Sequence, residues 1–385
     1  MVTTQTADNV LKSYYLSAVT DQLNKSVNPF LAQIKKTTSD VWGRDVRKTV
    51  RIGLNGGIGA GTEDGTLPSS RGNRYAQFVT TLKNLYGTIE ISDKAIRASA
   101  SNEGAFVDLL NDEMKSLVES ATCNFGRMLF GDGKGLFTAV TANSGNTYTC
   151  DDVYLLSEGM VIDIFNGSTK ILNGGTISAV DRANNKITIE DASLEGVTTV
   201  TNGKIYMHDS RGLELTGLKA LFENELLYGI VRSNNAWIEP YKATEVGTLT
   251  ENMLQKVIDT VEARSGSKIN FIVTSPGVRR AFFEELSKYR HIDTMELDGG
   301  FKAISFNGIP IVADRFCQKG TMYLLNTDDF GLHQLCDWQW LEGEDGKVLK
   351  QLADKPVFRA TLVKYADLMC YRPAGQARLT GITEA

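Results

Sequence analysis

The stretch from Asn55 to Asn73, NGGIGAGTEDGTLPSSRGN, holds six glycines and is the first place in the sequence to look for chemistry. A phosphate-binding loop needs Gly-x-x-x-x-Gly followed by Lys and Ser/Thr, because backbone N–H groups hold the anion and the lysine reaches its terminal oxygens. Gly56 and Gly61 have this spacing, but Thr62 and Glu63 follow them, so a carboxylate replaces the cation. The Gly-x-Gly-x-x-Gly dinucleotide fingerprint fails as well. We therefore do not predict a nucleotide site here.

Other residue types that carry chemistry are too scattered to form a known motif. The three histidines, His208, His291 and His333, lie more than five residues apart, which excludes metalloprotease spacing. Ser265 lacks the first glycine of a nucleophile elbow, and Ser275 precedes a proline, where a helix cap is the better interpretation. The sequence therefore predicts no enzyme, no cofactor and no metal.

The cysteine pattern indicates neither disulfides nor zinc. The five cysteines form no Cys-x-x-Cys pair, and we expect buried free thiols. They are Cys123, Cys150, Cys317, Cys336 and Cys370.

Length and charge set further bounds. A chain of 385 residues has room for two or three domains. The net charge is 41 − 46 = −5, but residues 1–51 hold eight Lys/Arg and four Asp, so this segment is +4 and the rest −9. No apolar run is long enough for a bilayer, and the N-terminus does not resemble a signal peptide. We expect a soluble protein made in the cytoplasm.

The flanks of the glycine-rich loop are predicted to be strands. From Val46 to Leu54 the apolar side chains fall mostly on even positions, the two-residue period of a strand. Tyr75 to Ile91 is also rich in strand-forming residues. Together they predict a long antiparallel hairpin whose arms of about eight to ten residues project by about 30 Å. The alternative is an irregular surface loop.

A long helix is predicted from Asn102 to about Phe130. Apolar residues from Phe106 to Met128 recur at steps of four and three, which places them on one face. The helix would be about 40 Å long and would end at the glycines of GDGKG. Its beginning is acidic and carries Glu103, Asp108 and Asp112.

The sequence after the long helix predicts an α+β protein with an inserted β module. From Thr138 to about Gly212, short β-prone runs such as MVIDIF and KITIE alternate with turn formers, which is typical of a small sheet or barrel. Leu213 to Arg232 is amphipathic, and Thr250 caps a helix that ends near Gly266. A buried strand, a helix opened by Pro276, an Asn-Gly hairpin and further strands follow. This order fits neither a doubly wound sheet nor a (β/α) barrel.

The order of these elements resembles the major capsid proteins of tailed bacteriophages, which have the Hong Kong ninety-seven-type fold. The resemblance rests on the glycine-tipped hairpin, the helix ending in FGDGKG, the segment SPGVRRAFFEEL and the hairpin FNGIPIVAD, and it covers essentially the whole chain. No single motif is specific, so their order carries the case. It implies an N-arm (1–45), an extended E-loop (46–91), a P-domain with a spine helix (92–137), an inserted β domain (138–212), a P-domain return (213–249), an A-domain (250–322), and P-domain strands with an A-domain C-terminal segment (323–385).

The resemblance implies a structural protein that self-assembles as pentamers and hexamers into an icosahedral or prolate shell around double-stranded DNA. Portal and scaffold proteins would be partners, DNA would be contacted without sequence specificity, and no membrane would be involved. The place of action would be the virion capsid, assembled in the host cytoplasm. Some members crosslink subunits through an E-loop lysine. In this sequence the only lysine between Arg47 and Asn73 is Lys48, at the base of the hairpin, so the tip has no nucleophile for such a crosslink. No long scaffolding segment precedes the arm, so a separate scaffold is implied.

We expect neighbouring subunits to meet through the N-arm and E-loop. Glycines would let the tip fit several quasi-equivalent environments, and many weak contacts would add up in the lattice. The basic arm would meet the acidic start of a spine helix or line the DNA-facing interior. The candidate inter-subunit residues are Lys35, Lys36, Arg47, Lys48, Arg51, Gly56, Gly57, Gly59, Gly61, Arg71, Arg74, Glu103, Asp108 and Asp112.

Two other classes stay open at this point. An encapsulin-type nanocompartment shares the fold, although such chains are usually shorter and lack a β insertion. A hydrolase or glycan-binding protein using the β module is the other alternative, and it would form a small oligomer rather than a shell.

Overall fold

The structure is a computed structural model that describes residues 28–94, 103–190, 200, 202–287, 294–297, 301–343 and 346–385; at 42, 103–112, 294–297 and 301–303 it describes the backbone only. The scattered aliphatic residues between Val10 and Leu23, from which one short helix could be expected, lie outside the described residues. The chain divides into two compact units, Met1–Phe130 with Leu221–Ala385, and Gly131–Ala220. None of the described helices is long and apolar enough to cross a membrane.

The helices and strands follow one another in mixed order, as expected for an α+β protein. The α-helices are α1 (Pro29–Gln33), α2 (Glu103–Leu129), α3 (Leu218–Glu223), α4 (Glu251–Ser265) and α5 (Pro276–Ser287). The strands are β1 (Lys35–Thr37), β2 (Val41–Trp42), β3 (Asp45–Ile52), β4 (Arg74–Thr81), β5 (Lys83–Ser92), β6 (Leu136–Ser144), β7 (Thr147–Cys150), β8 (Val161–Asn166), β9 (Thr169–Asp181), β10 (Lys186–Ile189), β11 (Gly203–Met207), β12 (Leu226–Leu227), β13 (Ile230–Val231), β14 (Tyr241–Ala243), β15 (Phe271–Thr274), β16 (Thr294–Leu297), β17 (Phe301–Phe306), β18 (Ile309–Ala313), β19 (Met322–Leu325), β20 (Phe330–Trp340), β21 (Lys350–Gln351), β22 (Val357–Cys370) and β23 (Ala377–Leu379).

The predicted hairpin is present with arms of eight residues each, but it does not include the whole of Tyr75 to Ile91. Strands β3 and β4 pair antiparallel from Asp45 opposite Thr81 to Ile52 opposite Arg74. The prediction that Tyr75 to Ile91 forms one arm is wrong, because β5 leaves the hairpin after Leu82 and pairs with β22. Both strands have the same two-residue period, so the pattern does not reveal the change of partner.

The long helix is confirmed and packs on the sheet that contains β5. This sheet has the order β1-β20-β22-β21, with β5 also on β22, and β1 runs parallel to β20. A methyl group on Gly87 of β5 would lie 3.1 Å from Cδ1 of Leu117 in α2, so the glycine lets the helix approach the strand closely. Met114, Phe125 and Met128 of α2 are buried, as their spacing predicts.

A second sheet of seven strands has the order β14-β23-β19-β15-β18-β17-β16. Helix α4 begins at the Thr250 cap, whose hydroxyl accepts from the N–H of Met253, and ends at Gly266 with a φ of 66°. The Asn307-Gly308 turn between β17 and β18 has φ values of 50° and 79°, which confirms the type I′ prediction. The strand at Tyr323 was expected in the sheet of the long helix. This prediction is wrong, because β19, which contains Tyr323, lies between β15 and β23 in the seven-stranded sheet.

The unit 131–220 contains a closed barrel with the order β10-β7-β6-β11-β8-β9, which confirms the prediction of a small sheet or barrel. Its core includes Tyr148, Ile162 and Ile205, which are fully buried. The N–H of Ala220 donates to the carbonyl of Gly131 at 3.2 Å, so the two ends of the unit meet.

Two smaller expectations need correction. The amphipathic stretch Leu213–Arg232 is helical only in α3, because Tyr228 and Gly229, with φ values of 50° and 82°, turn the chain between β12 and β13. All five cysteines are free, but only three are buried, whereas Cys123 and Cys336 are half-buried.

Candidate inter-subunit surfaces

The loop from 53 to 73 contains no helix or strand and is held by contacts between its own residues. Asn55 organises its base, since its amide donates to the Oδ1 of Asn73 at 3.1 Å and its Oδ1 accepts from the N–H of Gly57 at 2.8 Å. At the tip, the N–H of Gly65 donates to the carbonyl of Thr62 at 3.1 Å. The loop therefore has a defined course although it is exposed over almost all of its length.

The glycines of this loop allow its two halves to lie side by side. A methyl group on Gly56 would lie 3.2 Å from Cδ of Arg71, and one on Gly59 would lie 3.2 Å from Cγ of Pro68. A methyl on Gly57 would lie 3.1 Å from Oδ1 of Asn55, whereas Gly61 has more room. A side chain at the first three positions would push the halves apart.

The loop also presents apolar side chains to solvent. Leu54, at the base of the loop, and Ile58 and Leu67, further along it, are exposed to 91%, 86% and 91%, and Glu63 and Asp64 lie between Ile58 and Leu67 in the sequence. Burying one aliphatic side chain of this size contributes about 1.5–3 kcal/mol, so three contribute roughly 5–9 kcal/mol before the cost of ordering the partners. The loop is therefore a strong candidate for a protein contact.

Segment 28–42, which leads to the hairpin, is fastened to its own chain. Phe30 is fully buried and meets the ring of Phe330 at 5.5 Å between centroids, and strand β1 pairs with β20. Nζ of Lys36 lies 3.2 Å from Oδ2 of Asp337, whereas Lys35 only approaches the exposed Asp328 at 3.9 Å. The basic residue expected to meet the acidic start of the helix thus meets a carboxylate on β20.

Asp337 binds a second, buried cation. The ammonium of Lys364 donates to Asp337 and, at 3.0 Å, to Oε1 of Gln334, and it lies 5.0 Å from the ring centre of Phe125 in α2. Burial opposes ionisation of Asp337, but Lys364 and Lys36 outweigh it and lower its pKa. Burial lowers the pKa of Lys364 against the attraction of Asp337. This cluster ties β1, β20, β22 and α2 together.

The base of the hairpin meets the same sheet through Lys48. Its ammonium lies 3.2 Å from Oδ2 of Asp40 and 5.3 Å from the ring centre of Tyr371. The hydroxyl of Tyr371 is 3.0 Å from Nε2 of His333, which is fully buried. Among the described residues, Nδ1 of His333 has no partner, and burial lowers the pKa of this imidazole.

A solved structure of a phage capsid has a similar architecture. The chain superposes on a chain of the cyanophage A-1(L) capsid asymmetric unit with a TM-score of 0.58 over 93% of this chain and 94% of that one, at 11% identity. The chain has the Hong Kong ninety-seven-type capsid fold. Lower similarity, with TM-scores of 0.49, relates it to the holo-SrpI encapsulin complex from Synechococcus elongatus PCC 7942 (12% identity, 93% and 89% coverage) and to Mycobacterium phage Bobi (8% identity, 100% and 100% coverage). No protein-family model and no curated protein matches the sequence.

In this capsid fold, the predicted site residues fall into three groups. Arg47, Arg51, Arg71 and Arg74 are exposed on the hairpin and its loop, beside the glycines. Lys35, Lys36 and Lys48 lie near carboxylates of their own chain, as described above. The side chains of the three acidic residues of the long helix lie outside the described residues: Glu103, Asp108 and Asp112.

Sequence reasoning missed two features of the site. The first is the exposed apolar character of the loop, although three aliphatic residues in a stretch otherwise made of glycine and polar residues could have signalled it. The second is Asp337, which lies 301 residues after its partner Lys36. No local pattern connects residues so far apart.

Proposed function

We propose that this chain is the major capsid protein of a tailed bacteriophage, a structural protein rather than an enzyme. In this proposal it assembles as pentamers and hexamers into an icosahedral or prolate shell around double-stranded DNA. Assembly takes place in the host cytoplasm with a separate scaffold and a portal, and the mature site of action is the virion. DNA is contacted without sequence specificity.

The exposed apolar side chains of loop 53–73 are the observation that carries this proposal. A protein that acts alone gains nothing from holding Leu54, Ile58 and Leu67 almost fully in water. In a shell, each copy would bury these side chains on another copy, and the contacts would add up over the lattice. The capsid fold of the chain supports this use of the hairpin.

The proposal assigns roles to the segments. The hairpin β3–β4 with loop 53–73 acts as the E-loop, segment 28–42 belongs to the N-arm, and α2 is the spine helix of a P-domain with the sheet β1-β20-β22-β21. Strand β5, expected in the E-loop, and β19, expected with the P-domain strands, are now assigned to the P-domain and A-domain sheets respectively. The barrel is the inserted domain.

Particle formation tests the proposal. The purified chain, alone and co-expressed with its scaffold, is examined by negative-stain microscopy and analytical ultracentrifugation, and we expect shells, pentamers or hexamers. Deleting Gly56–Ser70 should leave a folded protein, shown by an unchanged circular dichroism spectrum, that forms no shells. Shortening the exposed β9–β10 turn at Ala183 is the matched control and should leave assembly intact.

The opposite results would refute the proposal. A compact monomer or dimer at high concentration, with and without scaffold, would favour the enzyme or glycan-binding alternative. Normal shells from the loop deletion would remove the role of the hairpin.

A further inference from the structure

Two stretches of the chain share the tetrapeptide Leu-Asn-Gly-Gly, one at 54–57 and the other at 172–175. An asparagine followed by glycine is open to an internal reaction, in which the backbone nitrogen of the glycine attacks Cγ of the asparagine side chain. Glycine favours this reaction because it has no Cβ to shield the nitrogen and because its backbone rotates freely. Since the neighbouring residues are the same, a difference in reactivity between Asn55 and Asn173 must come from the structure.

At the first site, the attacking nitrogen is free and the amide is activated. Among the described residues, the N–H of Gly56 has no hydrogen-bond partner. Oδ1 of Asn55 accepts from the N–H of Gly57 at 2.8 Å, which folds the side chain toward the backbone that follows it. This donor lies on the oxygen that becomes negative when a nitrogen adds to Cγ, so it stabilises the transition state. Asn55 and Gly56 are exposed, so water reaches both.

At the second site, the corresponding nitrogen is engaged. The N–H of Gly174 donates to Oδ1 of Asp163 at 2.8 Å, and residues 169–181 form strand β9. The negative charge of this carboxylate opposes the loss of a proton from the nitrogen beside it. Burial opposes the ionisation of Asp163, but hydrogen bonds from Lys170 and His208 outweigh it and lower its pKa to about 2. Asp163 is therefore a weak base and does not assist the attack.

Exposure and polarisation of the amide do not separate the two sites. Asn173 is exposed like Asn55, and its Oδ1 accepts from the ammonium of Lys170 at 3.0 Å. The amide carbon is thus activated at both sites. The difference lies in the glycine nitrogen, which is free at Gly56 and engaged at Gly174.

We propose that Asn55 is a site of spontaneous deamidation. The nitrogen of Gly56 bonds to Cγ of Asn55 and passes its proton through water to the side-chain nitrogen, which leaves as ammonia. A five-membered succinimide then joins the two residues, and water opens it. Addition of water at Cγ leaves an aspartate at position 55, whereas addition at the backbone carbonyl leaves an isoaspartate, in which the chain runs through Cγ. Water is the only co-reactant.

The product changes the charge and the hydrogen bonding of the loop. The side-chain amide of Asn55 donates to Oδ1 of Asn73 at 3.1 Å, and a carboxylate has no proton for this bond. The new negative charge lies close to Arg71, whose Cδ would be 3.2 Å from a methyl group on Gly56. Copies of the chain therefore come to differ at the base of the loop as the protein ages. This inference concerns the chain itself and does not depend on the proposed shell function.

Peptide mapping by mass spectrometry tests the proposal on the full chain. Trypsin releases residues 52–71 and 171–182, each with a single asparagine, so the mass gain from replacing the amide nitrogen by oxygen reports each site separately. After incubation of the folded protein at mildly alkaline pH, we expect Asn55 to have reacted roughly tenfold faster than Asn173, or more, because its nucleophile is free and oriented. In urea the two rates should become similar, since the local sequences match. Equal rates in the folded protein, or a faster reaction at Asn173, would overturn the inference.

A variant tests the role of the hydrogen bond on the amide oxygen. Gly57→Pro removes the N–H that donates to Asn55 and should slow the reaction there about fivefold, the rate equivalent of one hydrogen bond. Gly61→Pro places a proline elsewhere in the same loop and should leave the rate unchanged. Neither position lies in a helix or strand, and circular dichroism checks that both variants fold. Equal rates in the two variants would overturn the activation by Gly57.

Discussion

Nζ of Lys36 lies 3.2 Å from Oδ2 of Asp337, and the buried ammonium of Lys364 donates to the same carboxylate. One acidic side chain thus holds the segment that leads to the hairpin and also neutralises a cation inside the sheet.

Replacing this carboxylate should destabilise the protein strongly. Asp337→Ala leaves Lys364, which is 1% exposed, without its counter-ion, and removing one partner of a buried ion pair costs about 3–5 kcal/mol. Urea denaturation of unassembled protein, followed by tryptophan fluorescence, measures the loss. Asp328→Ala removes the partner of Lys35 in an exposed pair and should have no measurable effect. Equal effects of the two variants would contradict this account.

Asp314 should make the protein less stable as the pH rises. Its Oδ1 accepts from the N–H of Phe316 at 2.9 Å, Oδ2 has no partner among the described residues, and burial raises its pKa to about 6. A raised pKa in the folded state favours the protonated form, so this stabilisation is complete below 3.8 and is lost as the pH rises through 6. The difference between about 6 and 3.8 corresponds to roughly 3 kcal/mol.

Asp314→Asn should therefore stabilise the protein at pH above 6 by up to about 3 kcal/mol, because it removes the buried charge. Unfolding free energies of both proteins, measured across the pH range, check this. The advantage of the variant should shrink as the pH falls from 6 towards 3.8. A constant difference would show that Asp314 does not titrate as described.

His333 should make the protein less stable as the pH falls, the opposite of the effect of Asp314. Burial lowers its pKa from 6.5, Lys48 adds to this and Asp40 opposes it. A lowered histidine pKa in the folded state favours the neutral ring. The contribution of His333 to stability is therefore present above pH 6.5 and is lost as the pH falls below it. His333→Gln keeps a side chain for Tyr371 but no titrating ring, and its stability should fall less on acidification. Parallel pH curves for the two proteins would argue against this role of His333.

Gly126 should not tolerate a side chain. In an exposed helix Gly→Ala would stabilise by about 1 kcal/mol, but a methyl on Gly126 would lie 2.7 Å from the ring of Phe316 and 3.1 Å from Nδ2 of Asn28. We expect Gly126→Ala to cost roughly 1–3 kcal/mol in thermal or urea unfolding. Ser120→Ala, at an exposed position of the same helix, should be neutral or slightly stabilising. An increase in stability for both variants would mean that the ring of Phe316 can move aside, which would contradict this account.

The sequence predicted the elements with strong periodicity. Helix α2 was expected within one residue of its bounds, because its apolar residues repeat on one face from Phe106 to Met128, about six turns. The Asn307-Gly308 turn was expected because a type I′ turn needs positive φ at both positions. In these places the local pattern alone determines the structure.

The pairing of strands and of charged side chains could not be predicted from local patterns. The period of β5 is the same whether it pairs with β3 or with β22, and the central strand β19 lies beside two strands that are distant in the sequence. The position of Lys36 opposite Asp337 depends on the parallel pairing of β1 with β20. These features follow from long-range packing, which a single sequence does not display.

The hydrogen bond from the N–H of Ala220 to the carbonyl of Gly131 brings the entrance and the exit of the barrel unit together. A module whose entrance and exit coincide can be lost, exchanged or enlarged during evolution without altering the register of any strand in the other unit. The same point offers a graft position for engineering, where a foreign domain with adjacent termini could be carried by every copy of the protein.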